Sequence, residues 1–204
     1  MAKLLLVRHG RSAWNAAGRI QGQMDIALDA VGVQQARQVA DRVQDFHLDA
    51  IYTSPLQRAR ETAEAIGARL NLPVACDDRL MEYHFGVVSG LTWDEVVAQH
   101  PELARRWVDD AWAVPIAGSE GRVIFGARVK AVMDDLIARH PDQHVAVVAH
   151  GGTFNVYLAK MLGLDLKRRH PFHFGNASLS SVEVKAGVFS VHFLNDTCHV
   201  IAAG

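Results

Sequence analysis

Leu4-Leu5-Leu6-Val7-Arg8-His9-Gly10 and Val145-Ala146-Val147-Val148-Ala149-His150-Gly151-Gly152 repeat one layout at two distant places: an apolar run that gives way to a histidine and then glycine. A short apolar run bounded in this way reads as a strand buried on both faces, the kind that fills the middle of a parallel sheet. Ala50-Ile51-Tyr52-Thr53-Ser54-Pro55-Leu56-Gln57-Arg58 follows the same plan with arginine as the polar residue. Between these runs the apolar residues fall three or four apart: Val33, Ala36, Ala40 and Val43; then Leu56, Ala59, Ala63, Ile66 and Leu70; then Val129, Val132, Met133 and Leu136 within 123–137. That spacing predicts helices, as does 152–162 after the third strand. Ser54-Pro55 reads as an N-cap and first helical residue. The tail alternates through Leu179, Val182 and Val184, then Val188, Val191 and Phe193, which predicts a closing hairpin around Ala186-Gly187. Strands alternating with helices imply an α/β fold, three layers α/β/α with a mostly parallel central sheet. A less regular stretch, roughly 81–121, reads as a small inserted cap within a single domain spanning 1–204.

Composition narrows the function. The chain has 204 residues, half of them apolar, and a formal net charge of −1, so a large basic excess for nucleic acid is missing. Cys76 and Cys198 are its two cysteines, which gives neither a disulfide framework nor metal-ligand spacing. The apolar run before Arg8 is too short for a signal peptide, and no run has the length of a membrane span. A cytoplasmic protein with a small-molecule partner is expected, with no membrane and no nucleic acid. Edges left by the tail hairpin leave a homodimer open.

Parallel strands would bring Arg8, His9, Arg58 and His150 to one carboxyl edge of the sheet, where open α/β sheets bind ligands. Arg58 would lie in the first turn of its helix, which favours an anion. Two arginines and two histidines repel one another unless an anion joins them. A phosphoryl group suits them, because guanidinium pairs with phosphate oxygens two at a time.

Arg8-His9-Gly10-Arg11-Ser12-Ala13-Trp14-Asn15 resembles the defining motif of the histidine phosphatase superfamily, which includes cofactor-dependent phosphoglycerate mutases and many small-molecule phosphatases. The resemblance continues in Gln21-Gly22, in 54–63, in Leu80-Met81-Glu82-Tyr83-His84-Phe85-Gly86, in His150-Gly151-Gly152 and in Asn176-Ala177-Ser178. It implies a phosphomonoesterase acting on a small phosphate ester. His9 would be the nucleophile, attacking through one ring nitrogen while a backbone acceptor orients the other. Arg8, Arg58 and a cationic His150 would hold the phosphoryl oxygens and keep His9 neutral. Glu82 would protonate the leaving oxygen, which implies burial under the inserted segment. Asn15, Gln21, Gly22 and Gly151 would complete the pocket, with Arg60 on its rim. No metal and no cofactor is implied, since the Arg and His groups supply the charge that Mg²⁺ supplies elsewhere.

Alternatives remain at this level. Mutases of the family usually read Glu-Arg-His-Tyr-Gly around the acid, whereas Glu82-Tyr83-His84-Phe85-Gly86 is closer to the phosphatase branch. Arg105-Arg106 reads either as a mutase-like site for a second anionic group or as a solvated helix face. Arg11 would add charge at the pocket mouth, and Gly118-Ser119-Glu120-Gly121 only partly matches the Gly-Gly-Glu-Ser of many family phosphatases, with Glu120 mapping onto it but not Ser119 or Gly121. A non-catalytic phospho-ligand-binding protein would be expected to lack His9 or Glu82. A metal site at His170 and His173 has no third ligand. Trp14, Trp93, Trp107 and Trp112 read as packing residues, with a place for one or two of them in the wall of the substrate pocket left open, and Lys167-Arg168-Arg169 as a solvated turn.

Overall fold

The computed structural model describes residues 1–109, 114–164, 171–185 and 187–200. The expectations for Trp112, Lys167-Arg168-Arg169, His170 and Ala186 lie outside the described residues.

Six strands form one mixed sheet: β1 (Ala2–Arg8), β2 (Ala50–Thr53), β3 (Val74–Cys76), β4 (His144–Ala149), β5 (Leu179–Lys185) and β6 (Val188–Asp196), in the order β3-β2-β4-β1-β5-β6. The first four are parallel to one another, whereas β5 runs antiparallel to β1, and β6 to β5. The tail hairpin thus exists, but it joins the main sheet through β5. Strand β4 lies between β1 and β2, with Leu4 opposite Val145 and Arg8 opposite Ala149.

Period-two alternation divides the core. Leu5, Val7, Ala146 and Val148 face Val39 and Ala40 of α2 (Ala30–Arg42) and Ala59, Ala63 and Ile66 of α3 (Gln57–Leu70), while α1 (Ala13–Ala16) is a single turn. Leu4, Leu6, Val145 and Val147 face the other way, onto Phe125, Val129, Val132, Met133 and Leu136 of α6 (Arg122–Arg139) and onto α7 (Gly151–Met161). Three layers result, and strands buried on both faces explain the unbroken apolar runs.

Two expectations are corrected. Helix α3 starts at Gln57 after Leu56, so Ser54 and Pro55 do not begin it. The Ser54 hydroxyl is engaged by His150, and the first helical amide, of Gln57, donates instead to Asp25 Oδ1 at 2.6 Å. The 81–121 stretch also holds more regular structure than its sequence suggests: α4 (Trp93–Gln99), closed by a capping box between Thr92 and Glu95, and α5 (Pro101–Asp109). Helix α5 is strongly amphipathic, with Leu103, Ala104 and Trp107 turned inward. The two helices pack through Val88, Val96, Ala104 and Ile116, and Trp107 stacks on Phe85 and meets Trp93 edge-on. Among the described residues, no helix is long and apolar enough to cross a membrane.

Candidate active site

The carboxyl ends of β1 and β4 are neighbours, so the parallel register sets His9 and His150 side by side with ring centroids 5.1 Å apart. His9 Nδ1 lies 2.7 Å from the Gly10 carbonyl, which must accept its N–H, and Arg58 Nε donates to His9 Nε2 at 3.3 Å. The two contacts select one tautomer, leaving the lone pair on Nε2. Burial pushes the proton affinity of His9 well below the ordinary 6.5, and the charges of Arg58 and Arg8 push it further. The imidazole is therefore neutral at pH 7, with burial the larger cause and the cationic neighbours the smaller.

Arg58 is 1% exposed and held from its far side: Nη1 donates to Met24 O at 2.8 Å and Nη2 to Gly22 O at 2.7 Å. Burial lowers its pKa to about 10, so it stays charged at neutral pH. Gly22 has φ +53°, and a Cβ there would stand 2.7 Å from the Tyr83 carbonyl, so glycine is required for the loop to turn its carbonyl onto Arg58. Arg8 donates from Nη1 to the Phe174 carbonyl, while its Nε is buried with no protein partner. His150 donates or accepts at Nε2 with Ser54 Oγ, 2.8 Å away, and its buried Nδ1 has no protein partner. The expectation of a cationic His150 is corrected for the free site. Burial, then Arg58 and His9, depress its proton affinity well below 6.5, so the positive charge rests on Arg8 and Arg58.

Glu82 faces this group from a different layer. Its Oε2 accepts from Gly152 N at 2.9 Å in the first turn of α7, and Oε1 accepts from Tyr83 N at 2.8 Å. It is half-buried and lines the open pocket instead of lying sealed beneath the 81–121 segment. Asn15 accepts from Ser12 N and from Asn176 Nδ2, and Gln21 Oε1 accepts from Ser12 Oγ at 2.7 Å, which fixes both side chains at the wall.

A cavity of about 360 Å³ joins these residues, lined by Arg8, His9, Asn15, Gln21, Gly22, Arg58, Glu82 and Gly151. All the sequence-derived site residues except His150 and Arg60 line it. His150 supports it from beneath, buried against His9. Arg60 is exposed, its Nε 3.6 Å from Glu64 Oε1. Two residues on from Arg58 it points to the opposite side of the helix, so the rim position is not realised. Arg11 pairs with Asp29 at 2.7 Å, and the exposed Arg105 pairs with Glu102. Neither Arg11, Arg105 nor Arg106 lines the cavity.

Sequence reading missed part of the cavity wall: Arg19, Ile20, Phe85, Asn155, Phe172, His173 and Phe174. Phe172 and Phe174 sit in a loop with no periodicity to signal them. Asn155 had a signal, a polar residue on an otherwise apolar helix; its amide donates to Phe172 O and its oxygen accepts from Phe172 N, pinning that loop to α7.

The sequence matches the histidine phosphatase superfamily (branch 1) over residues 4–197. Phosphoserine phosphatase 1 of Hydrogenobacter thermophilus is 38% identical over 200 residues, 98% of this chain and 95% of that protein. A probable phosphoglycerate mutase of Yersinia pestis is 30% identical over 205 residues, covering 98% and 95% of the two chains. Among solved structures, mycobacterial glucosyl-3-phosphoglycerate phosphatase in complex with VO3 superposes with a TM-score of 0.87 at 32% identity, over 96% of this chain and 99% of that one.

Proposed function

This chain belongs to the histidine phosphatase superfamily and is a phosphatase of the histidine type, and from that premise we propose that it hydrolyses small phosphate monoesters through a phosphohistidine at His9. The observation that carries the proposal is the fixed His9 tautomer, its Nε2 lone pair held beside two buried guanidiniums at the cavity floor.

In the first step the Nε2 lone pair attacks phosphorus. The bond from phosphorus to the leaving oxygen breaks, and that oxygen takes a proton from the Glu82 carboxylic acid. Charge spreading over the three remaining oxygens is met by Arg8 and Arg58. Arg8 Nε and His150 Nδ1, two buried atoms beside His9 with no protein partner, are suited to complete this set. An incoming phosphoryl dianion favours a proton on His150, reversing the depression seen in the free site. In the second step water attacks the phosphohistidine, Glu82 accepts the proton of that water, the P–N bond breaks, and inorganic phosphate leaves with His9 neutral again. Asn15, Gln21 and the Gly151 end of α7 line the phosphoryl site.

The leaving group would meet a mixed wall, Ile20, Phe85, Phe172 and Phe174 beside the polar Arg19 and His173, suited to a compact organic alcohol that carries a polar group. Phosphoserine and glucosyl-3-phosphoglycerate, named for two relatives, are the first esters to try. A mutase would have to shield phosphohistidine from water and bind a second anionic group. The arginine pair proposed for that role lies outside the cavity, which favours hydrolysis.

Incubation with an aryl phosphate, and separately with 3-phosphoglycerate plus a trace of 2,3-bisphosphoglycerate, tests the proposal. Free phosphate from wild type, none from His9→Ala, and an acid-labile, base-stable phosphoprotein on quenching are expected. Equal release by His9→Ala would overturn His9 as nucleophile, and phosphoglycerate interconversion without free phosphate would make the chain a mutase.

A further inference from the structure

Arg128 of α6 lies outside the cavity, yet its guanidinium spends three of its five N–H groups on the segment that carries Glu82 and the other two on Glu120. Nη1 donates to the carbonyls of Arg79 at 2.9 Å and Met81 at 2.6 Å. Nη2 donates to the Glu82 carbonyl at 2.9 Å and to Glu120 Oε1 at 2.7 Å, and Nε donates to Glu120 Oε2 at 2.8 Å. Five donors thus meet five acceptors, in a group whose side chain is 17% exposed and whose partner Glu120 is 14% exposed. Glu120 Oε1 also accepts from His84 N at 2.9 Å, and Gln23 Nε2 donates to the Glu82 carbonyl at 3.1 Å.

Residues 79–84 have no strand partner, so nothing in the sheet sets their path. Without Arg128, Thr153 Oγ1 on the Met81 carbonyl at 3.3 Å and Gln23 Nε2 on the Glu82 carbonyl at 3.1 Å would each hold the segment through a single donor, leaving the Glu82 backbone freer to shift. The clamp removes that freedom from one side, while Gly152 N and Tyr83 N fix the carboxylate from the other. Neither part suffices alone: amides can hold a carboxylate only if its Cα is already in place.

We propose that Arg128, backed by Glu120, is a positioning residue that aims the Glu82 carboxyl at the leaving oxygen; this rests on Glu82 being the acid. Lysine is no substitute, because a single ammonium carries three donors on one atom and cannot span three carbonyls and a carboxylate.

The test separates aim from stability by varying the leaving group. kcat/KM reports the phosphorylation step, and an activated ester such as 2,4-dinitrophenyl phosphate needs no proton there, whereas an alkyl ester does. In Arg128→Lys and Glu120→Gln, kcat/KM for phosphoserine or glycerol phosphate should fall about 10- to 100-fold, and for the dinitrophenyl ester less than about threefold. Partial unfolding cannot imitate this, since it scales both rates alike. Guanidinium added to Arg128→Ala should restore the alkyl rate selectively. Equal losses on the two esters, or no loss on either, would overturn the proposal for Arg128. Glu82→Gln is the control: a selective loss there upholds Glu82 as the acid whatever Arg128 does, and an unselective one removes that assignment and the Arg128 role with it.

Discussion

Replacing Gly152 with alanine should leave the protein folded and remove most of its activity on alkyl phosphates. The added Cβ would stand 2.3 Å from Glu82 Oε1 and 2.9 Å from its Cδ. An ordinary C···O contact is about 3.3 Å, so the carboxylate must retreat by about 1 Å. It can, because it ends a flexible side chain facing a cavity. Stability should barely change. Alanine improves helix propensity by about 1 kcal/mol in the first turn of α7, and the lost charge-assisted hydrogen bond from Gly152 N costs about 1.5 kcal/mol. The net change is within about 1 kcal/mol, or about 2–4 °C in midpoint for a chain of this size. A 1 Å displacement of an acid is worth about 100-fold in rate. Thermal unfolding beside kcat/KM on phosphoserine and on dinitrophenyl phosphate would show both effects. A variant keeping more than half of the alkyl activity, or losing both activities equally, would refute Glu82 as an acid aimed from that position.

Three further outcomes are expected. Since His9 and His150 have proton affinities depressed below 6.5 in the folded chain, unfolding binds protons there as pH falls; stability is full above pH 6.5 and should fall below it by up to about 1.4 kcal/mol per pH unit for each histidine. Urea midpoints between pH 5 and 8 check this, and a flat profile matched by a His9→Ala, His150→Ala double variant would contradict it. Gly32→Ala should destabilise by about 2–3 kcal/mol, because its Cβ would stand 1.9 Å from the Arg11 carbonyl and two backbone segments must part; a denaturation midpoint like that of wild type would count against this packing. Arg105→Ala and Arg106→Ala should change kcat/KM by no more than about twofold, since both side chains are exposed outside the cavity; a tenfold rise in KM for 3-phosphoglycerate would restore them as substrate ligands.

Much of this was legible in the sequence where the physics is local. Strands at 4–7, 50–53 and 145–149 show as apolar runs because both faces are buried, and residues at their ends inherit a common edge from parallelism alone. That places Arg8, His9, Arg58 and His150 together without any contact being known. What is set by tertiary packing left no such mark. The start of α3 moved to Gln57 because Ser54 bonds His150, a residue 96 positions away. Arg60, expected on the rim, faces the other way on the helix from Arg58 and lies beside Glu64. Nothing in the sequence marks Arg128, since its carbonyl partners on 79, 81 and 82 have no sequence signature.

The placement of β4 between β1 and β2 has a consequence for synthesis on the ribosome. The first two strands do not touch: β2 pairs early with β3, but the strand that joins it to β1 emerges some 90 to 140 residues later. Until His144–Ala149 leaves the exit tunnel, β1 has no partner, β2 keeps one edge open, and the phosphate site lacks His150. The sheet therefore closes late and through contacts of long sequence separation, which slow folding and expose it to mispairing. Because β4 also delivers His150, the strand that joins the two parts of the sheet is the one that completes the histidine pair, while Phe172, Phe174 and β5 follow to finish the cavity wall and cover the other edge of β1.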